Sequence, residues 1–415
     1  MVPKGWRGQV WRSASVAGAL LDSWYSAIVS LTAHSAAKFF LQGWGTEAEI
    51  EACEACEERW DDILFQREQL PDIQPEVVKA ATQVWSLPLL LLQLLVWLGC
   101  KHRLVRGANT KAAAVVVSEY EFTSPAAEWL PPTAKQAHFQ LVQPANGAPV
   151  NGVVVHLAAT GDELYSWRRL LVADWLAAHG YASILLMIPL YGARRDRGQV
   201  QSYPRTVFGY LNASAASMME GAALATWARA TFNVPVALTG VSYGGSMASC
   251  AAMAVDGPLA VIACVGASSP EVLVSGSLSS RVAWESLHRH GENDVPATQA
   301  RLAQIMAARS AQRWLNAPEF REASANRQAH GARFGHCIVA AHDKFVSVVS
   351  AVGLYTDMKS MFSGDQNSIE WVPGGHATTI LAAPLTFVPG LLQSLEQLLR
   401  NAEAAGSKDE PCASE

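Results

Sequence analysis

The chain has 415 residues, with 31 Lys and Arg against 36 Asp and Glu for a formal charge of −5; half of it is hydrophobic and 16% is charged. That apolar content excludes a disordered chain, which cannot repay its ordering entropy, and without a positive excess nucleic-acid binding is set aside. Seven cysteines, an odd number, make no disulfide scaffold and suit a reducing compartment.

Residues 1–46 hold one acid, Asp22, against Lys4, Arg7, Arg12 and Lys38, among several Ser and Ala. This is the composition of an organelle transit peptide; an amphipathic helix packed on the body is the competing reading. The acidic run Glu47–Asp62 carries Cys53 and Cys56 at C-x-x-C spacing, with no second pair or histidine cluster nearby. Two cysteines one turn apart on a buried helix face is the plainer reading than a metal or redox pair. The run Val84–Cys100, VWSLPLLLLQLLVWLGC, precedes Lys101, His102 and Arg103. Its 17 residues lie at the lower edge of a bilayer span. A surface anchor with its basic flank on headgroups, or a buried helix, competes with a span. Residues 1–118 are thus expected to be a helical, apolar extension, 119–400 the catalytic domain, and 401–415 a disordered tail.

From residue 150 the pattern alternates. Gly152–Leu157, Ala182–Ile188, Val236–Thr239, Leu259–Val265, Cys337–Ala341 and Ile369–Val372 read as strands, most of them buried on both faces. Leu164, Trp167, Leu171 and Trp175 share one helix face, and further helices are expected at Ser217–Phe232, after Gly240 and around Leu391–Leu399. Such alternation implies an α/β fold, a mostly parallel sheet with helices on both faces. The stretch 268–335 breaks the rhythm and reads as a helical cap over the sheet end, where ligands bind in open α/β sheets.

Gly240-Val241-Ser242-Tyr243-Gly244 is a G-x-S-x-G turn between a strand and a small-residue helix. A serine there must stand on a strained turn, which the glycines permit by lacking Cβ atoms. Ser242 is the candidate nucleophile. In this fold class the chain order is Ser, acid, His. His376, in a Gly-rich loop before the last helix, is the candidate base; His288, His290, His330, His336 and His342 read as cap or strand-flanking residues. Asp343, at a strand end, is the candidate acid ahead of Asp357 and Asp365. The N–H of Tyr243, with that of Ala158 or Ala159, is the candidate oxyanion hole. Trp167, Arg168, Arg169, Tyr191 and Arg194 are the candidate substrate-binding residues: arginines near the mouth could grip a phosphate, or simply form a solvated face. No P-loop, dinucleotide fingerprint or zinc spacing appears, so no cofactor or metal is implied.

These residues resemble the alpha/beta hydrolase domain-containing protein 18 family. The resemblance is carried by His156-Leu157-Ala158-Ala159-Thr160-Gly161-Asp162 with Trp167-Arg168-Arg169, by Pro189–Arg194, by the serine turn, and by Gly374-Gly375-His376. Upstream, Phe39–Gly45 and Phe122–Pro125 add to it. The family has Gly where this chain has Ala159, and often Met where it has Tyr243. The resemblance implies an alpha/beta-hydrolase fold, a Ser242-His376-Asp343 triad, and a mitochondrial serine hydrolase acting on a phospholipid such as cardiolipin. The expected partners are a lipid or small-molecule ester and a membrane surface. A peptidase or acyltransferase on the same triad, and a non-catalytic binding protein, are the alternatives.

Overall fold

The computed structural model describes residues 20–23, 37–97, 108, 114–269, 271–288, 294–328, 331–362 and 365–406. Its strands are β1 (Glu76–Trp85), β2 (Ala114–Thr123), β3 (Gln136–Pro144), β4 (Gly152–Leu157), β5 (Tyr181–Met187), β6 (Val236–Val241), β7 (Leu259–Cys264), β8 (Arg333–Ala340) and β9 (Ser368–Val372). They form one sheet in the order β1-β2-β3-β5-β4-β6-β7-β8-β9. From β5 to β9 every neighbouring pair is parallel, while β1, β2 and β3 join antiparallel at one edge. Every residue of β4, β5 and β7 is buried, as their unbroken apolar runs require when both faces are covered.

The longer helices are α1 (Glu47–Leu64), α2 (Leu87–Trp97), α3 (Val207–Phe232), α4 (Tyr243–Ala252), α5 (Val295–Ala307), α6 (Pro318–Gln328), α7 (Val348–Met361), α8 (His376–Leu381) and α9 (Ala383–Gly406). Met219, Leu224, Ala251 and Met358 from α3, α4 and α7 cluster with Val153 and Leu238 on one sheet face, and α1 packs outside them on α3. Phe387, Leu391, Leu395 and Leu398 of α9 cover the other, with Leu89 and Leu92 of α2. The expected mostly parallel sheet with helices on both faces is therefore present. Between β7 and β8 the insertion expected at 268–335 is helical, carrying α5, α6 and shorter pieces.

The N-terminal extension differs from expectation. Instead of being helical throughout, it contributes the exposed edge strand β1 and the start of β2. The apolar run divides at Ser86: Val84 and Trp85 end β1, while the Ser86 hydroxyl accepts the Leu89 N–H at 3.2 Å and starts α2. Pro88 suits that first turn because no intrahelical acceptor is waiting for its missing N–H. Leu89 and Leu92 are buried, while Leu87, Leu90, Leu91 and Leu94 are exposed. Eleven helical residues reach about 16 Å, against a hydrocarbon core of about 30 Å. No described helix is long and apolar enough to cross a membrane. Lys101, Arg103, most of 1–46 and the tail beyond residue 406 lie outside the described residues; residues 401–406 continue α9.

Cys53 and Cys56 occupy the buried face of α1, where desolvation pushes both thiols up and away from the reactive thiolate form. Among the described residues no group of three or more His, Cys, Asp or Glu side chains could hold a metal.

Candidate active site

Strand β6 delivers Ser242 to a sharp turn and α4 leaves from it. Ser242 has φ 54° and ψ −123°, a left-handed conformation that L-residues rarely adopt. Flanking glycines make the turn possible. A Cβ on Gly240 would overlap Gly244, and one on Gly244 would overlap the Leu157 and Ala158 carbonyls. Tyr243 opens α4, so its N–H is among those that no intrahelical carbonyl can take. The Tyr243 hydroxyl is turned away into a 2.8 Å hydrogen bond with Ser214.

Asp343 follows β8, and its Oδ1 accepts the Phe345 and Val346 N–H groups, each at 2.8 Å. Those bonds fix the carboxylate while Oδ2 meets His376 Nδ1 at 2.7 Å. With Nδ1 engaged, Nε2 is the nitrogen left to exchange a proton with a substrate or nucleophile. The Phe345 ring lies 5.2 Å from the imidazole, centroid to centroid. Ser242 and His376 line the same cavity of about 860 Å³. Of the other acids considered, Asp357 sits in α7 and takes the Gln312 amide, while Asp365 is exposed. His336 lies inside β8 rather than at its edge and bonds Ser368 at 2.7 Å, and His288 bonds Thr298. His290 and His330 lie outside the described residues.

The loop after β4 separates the two oxyanion candidates. Ala159 lines the cavity, whereas Ala158 is fully buried with its carbonyl against Gly244. Arg168 holds this loop. Its guanidinium pairs with Asp162 at 2.6 Å and donates to the carbonyls of His156 (3.1 Å) and Leu186 (2.8 Å), tying the ends of β4 and β5 together. His156 beneath it bonds Ser183, and burial pushes its pKa down to about 3, so it is neutral. The Tyr191 hydroxyl accepts the Gly161 N–H at 3.3 Å on the far side of the loop.

Several substrate-binding expectations are corrected here. Trp167, 59% exposed, and Arg168 line the cavity; Arg169, Tyr191 and Arg194 do not. Arg169 lies 3.6 Å from Asp174. Arg194 is fully buried, with its donors spent on Glu220, Met187 O and Ala134 O. Asp162, Asp174 and Glu220 make these three arginines braces, and sequence spacing gave no sign of those acids as partners.

Much of the cavity wall is apolar, with Met218 and Met247 from α3 and α4, Leu354 from α7, and Leu278, Met306 and Trp314 from the insertion; Glu57, Arg281, Arg309 and Asp357 also line it. Sequence reasoning also missed Asp22. It is buried, and its carboxylate accepts backbone N–H groups of Lys344, His376 and Ala377. The only sequence signal was its being the lone acid in the first 46 residues.

A family model described as alpha/beta hydrolase domain containing 18 matches residues 37–397. The chain is also similar to several solved structures at low identity. One is TT1662 from Thermus thermophilus, 17% identical over 63% of this chain and 93% of that one, with a TM-score of 0.41. A cold-adapted esterase from an Arctic intertidal metagenomic library, bound to PEG, is 14% identical over 69% and 94%, also at 0.41. Acetyl xylan esterase 1 from Thermoanaerobacterium sp. JW/SL YS485 is 13% identical over 87% and 96%, at 0.45.

Proposed function

The chain belongs to the alpha/beta hydrolase domain containing 18 family, and from that premise we propose that it is a serine hydrolase cleaving lipid acyl esters. The carrying observation is that Ser242, strained on its turn, lines the same cavity as His376, whose Nδ1 is held by Asp343 at 2.7 Å. In the proposed reaction Ser242 Oγ attacks the ester carbonyl as His376 Nε2 takes its proton. Asp343 holds the imidazole's orientation and balances the charge it gains. The Tyr243 and Ala159 N–H groups receive the oxyanion, aided by the positive end of α4. The imidazolium then gives its proton to the leaving alcohol, and water clears the acyl-enzyme by the same steps.

A lipid acyl chain is favoured over a small acyl group by the size and apolar walls of the cavity. Each methylene moved into such a chamber contributes about 0.8 kcal/mol until the chamber is full. Phospholipid, with cardiolipin in a mitochondrial membrane as the specific candidate, is the finer proposal. It does not rest on Arg168, Arg169 or Arg194, whose charges are engaged by the protein's own acids. The exposed leucines of α2 are the proposed contact with the membrane surface. The test is labelling by a fluorophosphonate probe. Wild type is expected to label and Ser242→Ala to be blank; a Ser242→Ala protein that labels at the wild-type rate removes the serine from the mechanism.

A further inference from the structure

Asp22 lies outside the family-matched residues 37–397, yet its side chain is fully buried against the loops of the proposed triad. Oδ1 accepts the Ala377 N–H at 2.8 Å; Oδ2 accepts the His376 N–H and, at 3.3 Å, the Lys344 N–H. Two of these amides open the helix that carries the histidine, and the third belongs to the residue directly after Asp343. Gly375, which precedes that helix, has no side chain with which to take its first N–H groups. Asp22 supplies the acceptor from 354 residues away.

Gly375 offers an independent observation. Its φ of −104° is open to any residue, so no turn demands a glycine there. A Cβ at that position would instead overlap the Asp22 carboxylate. The glycine before the histidine makes room for the acid.

We infer that Asp22 is a positioning residue for His376: its carboxylate locks together the loops that carry the base and the acid. This rests on the reading of His376 as the base. It means that the proposed site is complete only while residue 22 remains on the chain, and that a protein processed downstream of it would lose the lock.

The experiment uses the full-length chain and a soluble chromogenic ester, with Asp22→Ala, Asp22→Asn, Gly375→Ala and the Asp22→Ala/Gly375→Ala double variant. Misplacing a catalytic group by an ångström costs on the order of 100-fold. Asp22→Ala is therefore expected to lower kcat by roughly 10- to 100-fold, with KM held within about twofold. Asn keeps one acceptor oxygen and should recover part of the loss. Gly375→Ala should lower kcat in the wild-type background and cost far less once the carboxylate it would strike is gone. Wild-type kcat in both Asp22 variants, or strictly additive losses in the double variant, overturns the inference. If Asp22→Ala does not fold, Asp22→Asn and Gly375→Ala decide the matter: reduced kcat at an unchanged melting temperature supports the lock, and wild-type kcat in both overturns it. Ser242→Ala is measured alongside. Its retention of turnover would defeat the triad reading, whereas its loss beside a fully active Asp22→Ala would defeat the lock alone.

Discussion

Replacing Arg194 with alanine separates a structural brace from a phosphate grip. The Arg194 and Glu220 side chains are both 0% exposed, joined by two contacts of 2.6 and 2.7 Å. The same guanidinium donates to Met187 O and Ala134 O at 2.7 Å each. In its absence Glu220 keeps one donor, the Ser124 hydroxyl at 2.6 Å, and remains a buried charge without a counter-charge. Breaking a buried pair in this way costs about 3–5 kcal/mol. At about 2 °C per kcal/mol, the lower end of the range because this chain is long, the melting temperature should fall by about 6–10 °C. Scanning fluorimetry reads that shift, and kcat/KM is measured on a neutral short-chain ester and on an anionic phospholipid below the new midpoint. The two kcat/KM values should change in the same proportion. An unchanged melting temperature with a loss confined to the anionic lipid would refute the brace and restore the phosphate reading.

Burial pushes the Asp357 carboxyl up to about 6 from its ordinary 3.8, so between those values the folded chain holds a proton that the unfolded chain has released. Stability contributed at this site therefore falls as pH rises through that window. Asp357→Asn, which can still accept from Gln312, should melt higher than wild type at pH 8, with the gain vanishing below about pH 4; a gain of equal size at both ends contradicts the assignment. Replacing the exposed Leu90, Leu91 and Leu94 with Ser should release the protein from anionic liposomes in flotation while leaving soluble-ester turnover intact, because the buried Leu89 and Leu92 that pack on the body are untouched. Equal loss on soluble and bilayer substrates would return α2 to the core.

The central strands were legible because burial on both faces demands continuous β-branched runs, as in Gly152–Leu157. The edge was not. Strand β1 is exposed on nearly every residue, so Glu76–Trp85 carries neither a buried run nor a clean alternation, and its last two residues merged with the leucines of α2. The serine turn announced itself because a strained φ admits few residue types nearby, and His376 because a glycine loop and a strand end bracket it. What composition and spacing could not show was the partner of each charge. Arg168, Arg169 and Arg194 look alike in sequence, and only folding reveals that Asp162, Asp174 and Glu220 stand against them. Asp22 is the extreme case: a residue whose surroundings come from the opposite end of the chain.

The most direct test of the central claim is to trap the covalent intermediate. A long-chain p-nitrophenyl ester is mixed with enzyme, quenched in acid within the first turnover, and the peptides are mapped by mass spectrometry. An added acyl mass is expected on the peptide bearing Ser242, absent from Ser242→Ala and strongly reduced in His376→Ala. Turnover with no acyl mass on any serine, or an acyl group on a different residue, would contradict it.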